Sequence, residues 1–310
     1  MPLLETFVQQ IINGVTLGAV YALVALGYTM VYGIIGLINF AHGELVMVGA
    51  LMAISVIALL AGSGLPHWLI VLAGLSAAIP LCMALAYIME RVAYRPLRRA
   101  PRLAPLITAI GVSIVLQNLA MMVWGRSYFS FPKVFDITTY TVAGATVTDQ
   151  QVIIVLMAAA LMAALLWIIH RTKLGMAMRA TAENLPVATL MGVDTNKVIV
   201  AAFLIGAVLA AIAGLMVSAY YGIAHYYMGF MLGLKAFTAA VLGGIGNIGG
   251  AMVGGLLLGI IESLGAGYIG DLTGGFLGSH YQDVFAFFVL IAVLTVRPAG
   301  LLGERQADRA

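Results

Sequence analysis

Long unbroken apolar runs, separated by short polar stretches, set the pattern of this chain. They cover 11–34, 44–62, 68–89, 104–124, 151–169, 198–220, 229–247, 251–270 and 283–297. A helix needs about 20 apolar residues to cross a hydrocarbon core, and most of the runs reach that length. They are continuous rather than alternating, which argues against a barrel of period-two strands. The pattern predicts an all-α fold, a polytopic membrane bundle of about nine spans, with eight to ten compatible with the run boundaries. Run 229–247 carries Lys235 and run 283–297 is short, so these two are the least regular of the set.

Composition agrees. Of 310 residues, 63% are hydrophobic and 9% charged, and mean hydropathy is +1.09. Soluble domains hold about 45–50% apolar and about 25% charged residues. A water-facing fold of this length could not hide so much apolar surface, which excludes soluble enzymes, nucleic-acid binders, disordered chains and coiled coils. The one cysteine, Cys82, lies in an apolar run and gives no disulfide framework. Met1 to Gln10 carries Glu5 but no Lys or Arg. The positive start of a cleaved signal peptide is missing, so the first run is expected to be retained.

Charge placement predicts orientation. The loop 90–105 holds Arg91, Arg95, Arg98, Arg99 and Arg102. The loop 170–197 holds Arg171, Lys173, Arg179 and Lys197, and the tail holds Arg297, Arg305 and Arg309. Arg126 and Lys133 fall in the other large polar stretch, 125–150. Positive segments stay in the cytoplasm. Three runs precede the first basic loop, two separate the basic loops, and four lead to the tail. Nine crossings with the N-terminus outside and the C-terminus inside satisfy this parity. The chain reads as one membrane domain, 1–310, without an appended soluble domain, a low-complexity linker or an evident repeat.

Small residues recur at helical spacing: Gly14 with Gly18, Gly250 with Gly254, Gly255 with Gly259, and Gly206, Ala210 and Gly214. Helices in lipid associate through close backbone approach, so tight packing is expected there. Gly244-Ile-Gly-Asn-Ile-Gly249 matches a dinucleotide fingerprint but lacks a preceding strand, and reads as a turn between helices. No phosphate loop, zinc-binding His-Glu-x-x-His or Gly-x-Ser-x-Gly elbow occurs. The scattered histidines argue against a metal cluster. Neither an enzyme nor a bound cofactor is expected.

Polar residues inside the runs are the candidate functional groups, because a charge at the bilayer centre costs about 2.5–3.5 kcal/mol on insertion scales. Glu262 must face protein or a water-filled cavity. Lys235 is expected to snorkel toward the interface. Gln117 and Asn118 are expected to bridge helices or meet a polar substrate. In Ile38-Asn-Phe-Ala-His-Gly-Glu44, Asn39 or His42 is expected to cap the next helix, with Glu44 in its first turn. The rival reading makes this segment a gate or a partner contact.

Several of these stretches together resemble one family. Asn13-Gly-Val-Thr-Leu-Gly-Ala-Val-Tyr-Ala22 and Tyr28-Thr-Met-Val-Tyr-Gly-Ile-Ile-Gly-Leu-Ile-Asn-Phe-Ala-His-Gly-Glu44 resemble the opening of permease subunits of bacterial branched-chain amino-acid ABC transporters, the H-type most closely. Glu90-Arg-Val-Ala-Tyr-Arg-Pro-Leu-Arg98 is similar to that subunit's first basic loop. Gly175-Met-Ala-Met-Arg-Ala-Thr-Ala-Glu183, with Met191-Gly-Val-Asp194, is similar to its main cytoplasmic loop, and Ala236-Phe-Thr-Ala-Ala-Val-Leu-Gly-Gly-Ile-Gly246 to its C-terminal half. Gly249 departs from the Pro often found in relatives.

The resemblance implies an inner-membrane permease that pairs with a second related permease, two cytoplasmic ATPase subunits and a periplasmic binding protein. It implies that Arg179, Glu183, Asn184 and Gly192, in the loop 170–197, lie in a segment that docks on the ATPase. Breaker rules place a short helix at about 176–184, ending before Pro186. A urea, amide or other amino-acid permease is the alternative cargo assignment. A proton-driven secondary transporter using Glu262 or His42, and a passive channel, are the alternative mechanisms.

Overall fold

The computed structural model describes residues 3–98, 100–101, 103–132, 138–142, 144–274 and 281–303. Arg99, Arg102, Lys133, Arg305 and Arg309, used above for orientation, lie outside the described residues. Eleven helices appear among those described: α1 (Leu3–Ile35), α2 (His42–Leu60), α3 (His67–Ile88), α4 (Leu103–Trp124), α5 (Asp149–Arg171), α6 (Lys173–Glu183), α7 (Leu185–Leu190), α8 (Thr195–Tyr221), α9 (Met228–Gly243), α10 (Ile248–Leu272) and α11 (Gln282–Val296). Each of the nine apolar runs became a helix. Seven helices are long and apolar enough to cross a membrane, while α9 and the apolar part of α11 are shorter. At 1.5 Å per residue, the 16 residues of α9 span about 24 Å, less than a typical hydrocarbon thickness of about 30 Å.

The all-α expectation fits, and strand content among the described residues is minor. Four short strands form two antiparallel pairs, β1 (Phe129–Ser130) with β4 (Ile223–Ala224) and β2 (Thr139–Val142) with β3 (Ala145–Thr148). Three of them fall in the polar stretch 125–150, where Thr and Val alternate and the chain is outside the apolar runs. The π-helical turn Met89–Tyr94 and the 3-10 turn Arg95–Leu97 extend α3.

Two compact units divide the chain: Met1–Thr29 with Ile137–Met162 and Lys235–Ala310, and Met30–Asp136 with Ala163–Leu234. In the first, small residues bring α1 and α10 together. A Cβ at Gly14 would lie 2.6 Å from the Ile260 Cα, and one at Gly18 2.7 Å from the Leu256 Cα. Gly255 faces Ala22, and Gly259 faces Gly14 and Gly18. The paired spacing read from sequence is thus an interhelical seam. Gly244 and Gly246 adopt positive φ, 108° and 95°, in the turn between α9 and α10. This confirms the Gly-rich fingerprint as a turn.

In the second unit α2 is the central helix, packed by α3, α4 and α8. Gly49 meets Ala211 and Gly214 meets Val46, which seats α2 against α8. Gly43, Gly229 and Gly233 do the same where α2 meets the start of α9. Cys82 is buried, its thiol 3.3 Å from the Leu45 carbonyl oxygen.

Candidate functional site

The buried polar groups form distinct constellations. In the second unit, Glu44 sits in the first turn of α2 and is fully buried. Its Oε1 accepts from Ser113 Oγ and from Gln117 Nε2, both at 2.7 Å. Ser113 and Gln117 lie four apart on α4 and share one face. Gln117 therefore bridges helices as expected from sequence. Among the described residues Asn118 bridges to no other helix: it faces outward and its Nδ2 donates to the Ile114 carbonyl at 2.8 Å.

The capping expectation for Asn39 and His42 is corrected. The residue before α2 is Ala41, and no side chain caps that helix. The Asn39 Oδ1 instead accepts from Tyr94 Oη at 2.6 Å. His42 is buried, as Asn39 is. Sequence could not reveal that the carboxamide had a distant phenol within reach, so the local turn explanation won there by default.

Glu90, missed from sequence, is a second buried carboxylate of this unit. Arg95 and Arg98 both pair with it, Arg95 at 3.1 Å. Arg98 also donates to Asn196 Oδ1 at 2.7 Å, at the start of α8. The i to i+5 and i+8 spacing of Arg95 and Arg98 from Glu90 was the available signal. It was read only as topology charge.

In the first unit the polar cluster is ionic. Lys235 Nζ lies 2.7 Å from Glu262 Oε1 and 2.8 Å from Asp283 Oδ1. Tyr21 Oη donates to the same Glu262 oxygen at 3.2 Å. The snorkelling expectation for Lys235 is thus overturned: its side chain is only 13% exposed and turns toward two carboxylates. Two anions nearby outweigh the reach to water, since a desolvated ammonium needs a counter-charge. Glu262 faces protein as expected, and its Oε2 has no hydrogen-bond partner among the described residues. Thr238, Leu258 and Phe287 close a cavity of about 10 Å3 beside it, space for a single water.

The loop 170–197 is the third feature. Thr172 caps α6 by accepting from Gly175 N at 3.1 Å, and Asn184 caps α7 by accepting from Val187 N at 3.1 Å. Asp194 caps α8, accepting from Lys197 N at 3.2 Å. Hydrogen bonds from the Lys197 backbone and side chain hold the Asp194 carboxyl below its ordinary range. The helix expected at 176–184 exists but starts earlier, at Lys173, and Pro186 opens a second helix rather than only ending the first. Arg179 donates to the Ile169 carbonyl, which closes the α5–α6 corner. Glu183 is exposed at the end of α6, and Gly192 supplies a positive φ of 87° after α7. The most exposed apolar side chains here are Leu190 at 86% and Met191 at 80%. Neither was a candidate from sequence, although Met191 opens the stretch Met191-Gly-Val-Asp194, because an apolar pair at a helix end gives no sign of its exposure.

No group of three or more potential metal ligands occurs among the described residues. Helices long and apolar enough to span a bilayer, with charges paired inside each unit, fit a multi-pass membrane protein. Comparison with known proteins makes the class specific. Residues 10–294 match the family described as branched-chain amino acid transport system / permease component, and the chain belongs to that family. It is 46% identical over 308 residues to the high-affinity branched-chain amino acid transport system permease protein LivH of Salmonella typhimurium, covering 98% of this chain and 97% of that one. It is 46% identical over 314 residues to the permease protein BraD of Pseudomonas aeruginosa, covering both chains fully. A probable LivH of Methanocaldococcus jannaschii is 28% identical over 286 residues, covering 91% and 88%.

Proposed function

We propose that the chain is a permease subunit of an ATP-driven importer of branched-chain or similar hydrophobic amino acids, working in the bacterial inner membrane as one domain over 1–310. Near full-length identity to permeases named for that cargo carries the assignment of substrate class. The chain crosses nine times, with its N-terminus outside and its basic loops and C-terminus inside. A second related permease completes the conduit, two cytoplasmic ATPase subunits drive it and a periplasmic binding protein delivers substrate. Asn39, His42, Glu44, Gln117, Asn118 and Glu262 are the candidate pathway or gate residues. Closure of the ATPases biases the permease between outward and inward openings.

One observation supports the coupling site. A loop fixed by three side-chain caps presents Leu190 and Met191 almost bare to solvent. Bare apolar tips on a rigid segment suit insertion into a partner's groove. Glu183 and Gly192 border them. Arg179 and Asn184 instead hold the segment's shape, so they act on coupling through the loop rather than by contact. Leu190→Glu with Met191→Glu should abolish co-purification of the ATPase subunits while membrane levels of the chain stay normal. Full assembly and transport in that variant would overturn the docking assignment. Uptake by vesicles holding this chain without ATPase subunits would favour the proton-driven or channel mechanism instead.

A further inference from the structure

Where α3 ends, the chain makes a π-helical turn, Met89–Tyr94, and the Arg95 N–H donates back to the Glu90 carbonyl. Such wide turns are rare and recur at functional sites. This one is pinned from inside. Glu90 is wholly buried, and Arg95 donates to its carboxylate through Nε at 3.2 Å and Nη2 at 3.1 Å. Arg98 donates to the same carboxylate and, through its other terminal nitrogen, to Asn196 in the first turn of α8 at 2.7 Å. A buried carboxylate held by two guanidinium groups resists rearrangement, because losing its cations would leave its charge uncompensated away from water.

Tyr94, four residues on from Glu90, joins two further parts of the second unit. Its ring packs against Phe203 of α8, with centroids 5.3 Å apart. Its hydroxyl donates to Asn39 Oδ1 at 2.6 Å. All three residues are buried. Asn39 belongs to the non-helical stretch 36–41 that leads into α2. Such a stretch lacks a helix's regular backbone bonds, which makes it easier to shift than the helices around it. Helix α8 starts at the Asp194 cap, where the loop 170–197 ends. Continuous helix, about 13.5 Å of it, leads from that cap to Phe203.

The geometry points to Tyr94 as a positioning residue for transport. It passes movement of the loop 170–197, delivered along α8, to Asn39 and so to the candidate gate segment Asn39–Glu44. Glu90 and Arg98 keep the turn seated on α8 meanwhile. Tyr94 acts through Asn39 rather than on the cargo. The inference rests on the reading of loop 170–197 as the segment that docks the ATPase.

The test uses the whole complex from the native host, reconstituted in liposomes with its binding protein, and reads branched-chain amino acid carried per ATP hydrolysed. Tyr94→Phe keeps the ring on Phe203 and removes the bond to Asn39. It should retain its ATPase subunits and their ATP hydrolysis, yet carry about tenfold less substrate per ATP, the effect of leaving one buried acceptor unbonded. Arg98→Gln should cost less, since the Phe203 contact remains. The double variant should be no worse than Tyr94→Phe alone, as contacts in series require. Arg95→Gln leaves the contacts to α8 and Asn39 in place and should carry substrate at the wild-type ratio. A wild-type ratio in Tyr94→Phe, an equal deficit in Arg95→Gln, losses that multiply in the double, or loss of folded chain or of ATPase subunits from Tyr94→Phe would overturn the inference and leave the importer standing. Uptake without ATP, or a wild-type complex that holds no ATPase subunits, would overturn the reading beneath it as well.

Discussion

Replacing Lys235 with Met keeps the unbranched apolar stem and removes the ammonium that lies between Glu262 and Asp283. The two carboxylates then face each other without a cation, and Glu262 is 1% exposed. Breaking a buried ion pair by deleting one partner costs about 3–5 kcal/mol. Asp283 is 28% exposed and sits in the first turn of α11, where the helix dipole favours an anion, so the low end, about 3 kcal/mol, applies here. Glu262→Gln is a milder change. The Gln carbonyl still accepts from Tyr21 and Lys235, and Lys235 keeps Asp283, so the loss is about 1 kcal/mol. The double variant Lys235→Met/Glu262→Gln leaves Asp283 as the one carboxylate of the cluster, 28% exposed. It should be more stable than Lys235→Met alone, with a coupling of about 1–2 kcal/mol. Unfolding of purified protein in mixed micelles of rising sodium dodecyl sulfate content, followed by circular dichroism, reads all four proteins. Equal costs for the two single variants, or strict additivity in the double, would refute the ionic account of this cluster.

Further outcomes follow from packing and capping. Gly18→Ala puts a Cβ 2.7 Å from the Leu256 Cα, against about 3.5–4.0 Å for relaxed carbon contacts; α1 and α10 must part, at about 1–3 kcal/mol, visible in the same unfolding assay. The Asp194 cap has a folded-state pKa below its ordinary value, so its contribution is present at neutral pH and is lost as pH falls through that lowered value. Amide exchange at Lys197 should therefore accelerate in acid beyond the intrinsic rate. Asp194→Asn, which keeps the acceptor, should remove this extra pH dependence.

The helices were legible because lipid as solvent demands long apolar segments, and each run stands out whatever its neighbours do. The glycine seams were legible for a related reason: spacing on one helix reports which face must come close to another. Partners across the fold were not legible. Lys235 and Glu262 are 27 residues apart, on different runs, and nothing in either run reveals that the ammonium turns inward. Asn39 likewise sits two residues before Ala41, the N-cap of α2, and only the arrival of Tyr94 from beyond α3 explains its orientation. Pro186 was read as a stop, although proline also opens helices and Asn184 before it is a capping residue. The short strands escaped because the alternation over 139–148 was judged against apolar runs rather than by itself.

The distribution of polar partners separates two kinds of site in this chain. Glu44, Glu90 and Glu262 each engage donors or cations from their own unit. Such groups hold helices in register and are poor places for a partner to grip, because they are buried inside their unit. Leu190 and Met191 are the reverse: exposed at the end of the capped helix α7, with apolar chemistry that water serves badly. Assembly is therefore expected at the α7 tip, and rigidity from the buried carboxylates. Variants at the tip should lose partners while keeping the fold, and variants of the buried carboxylates should lose stability before they lose partners.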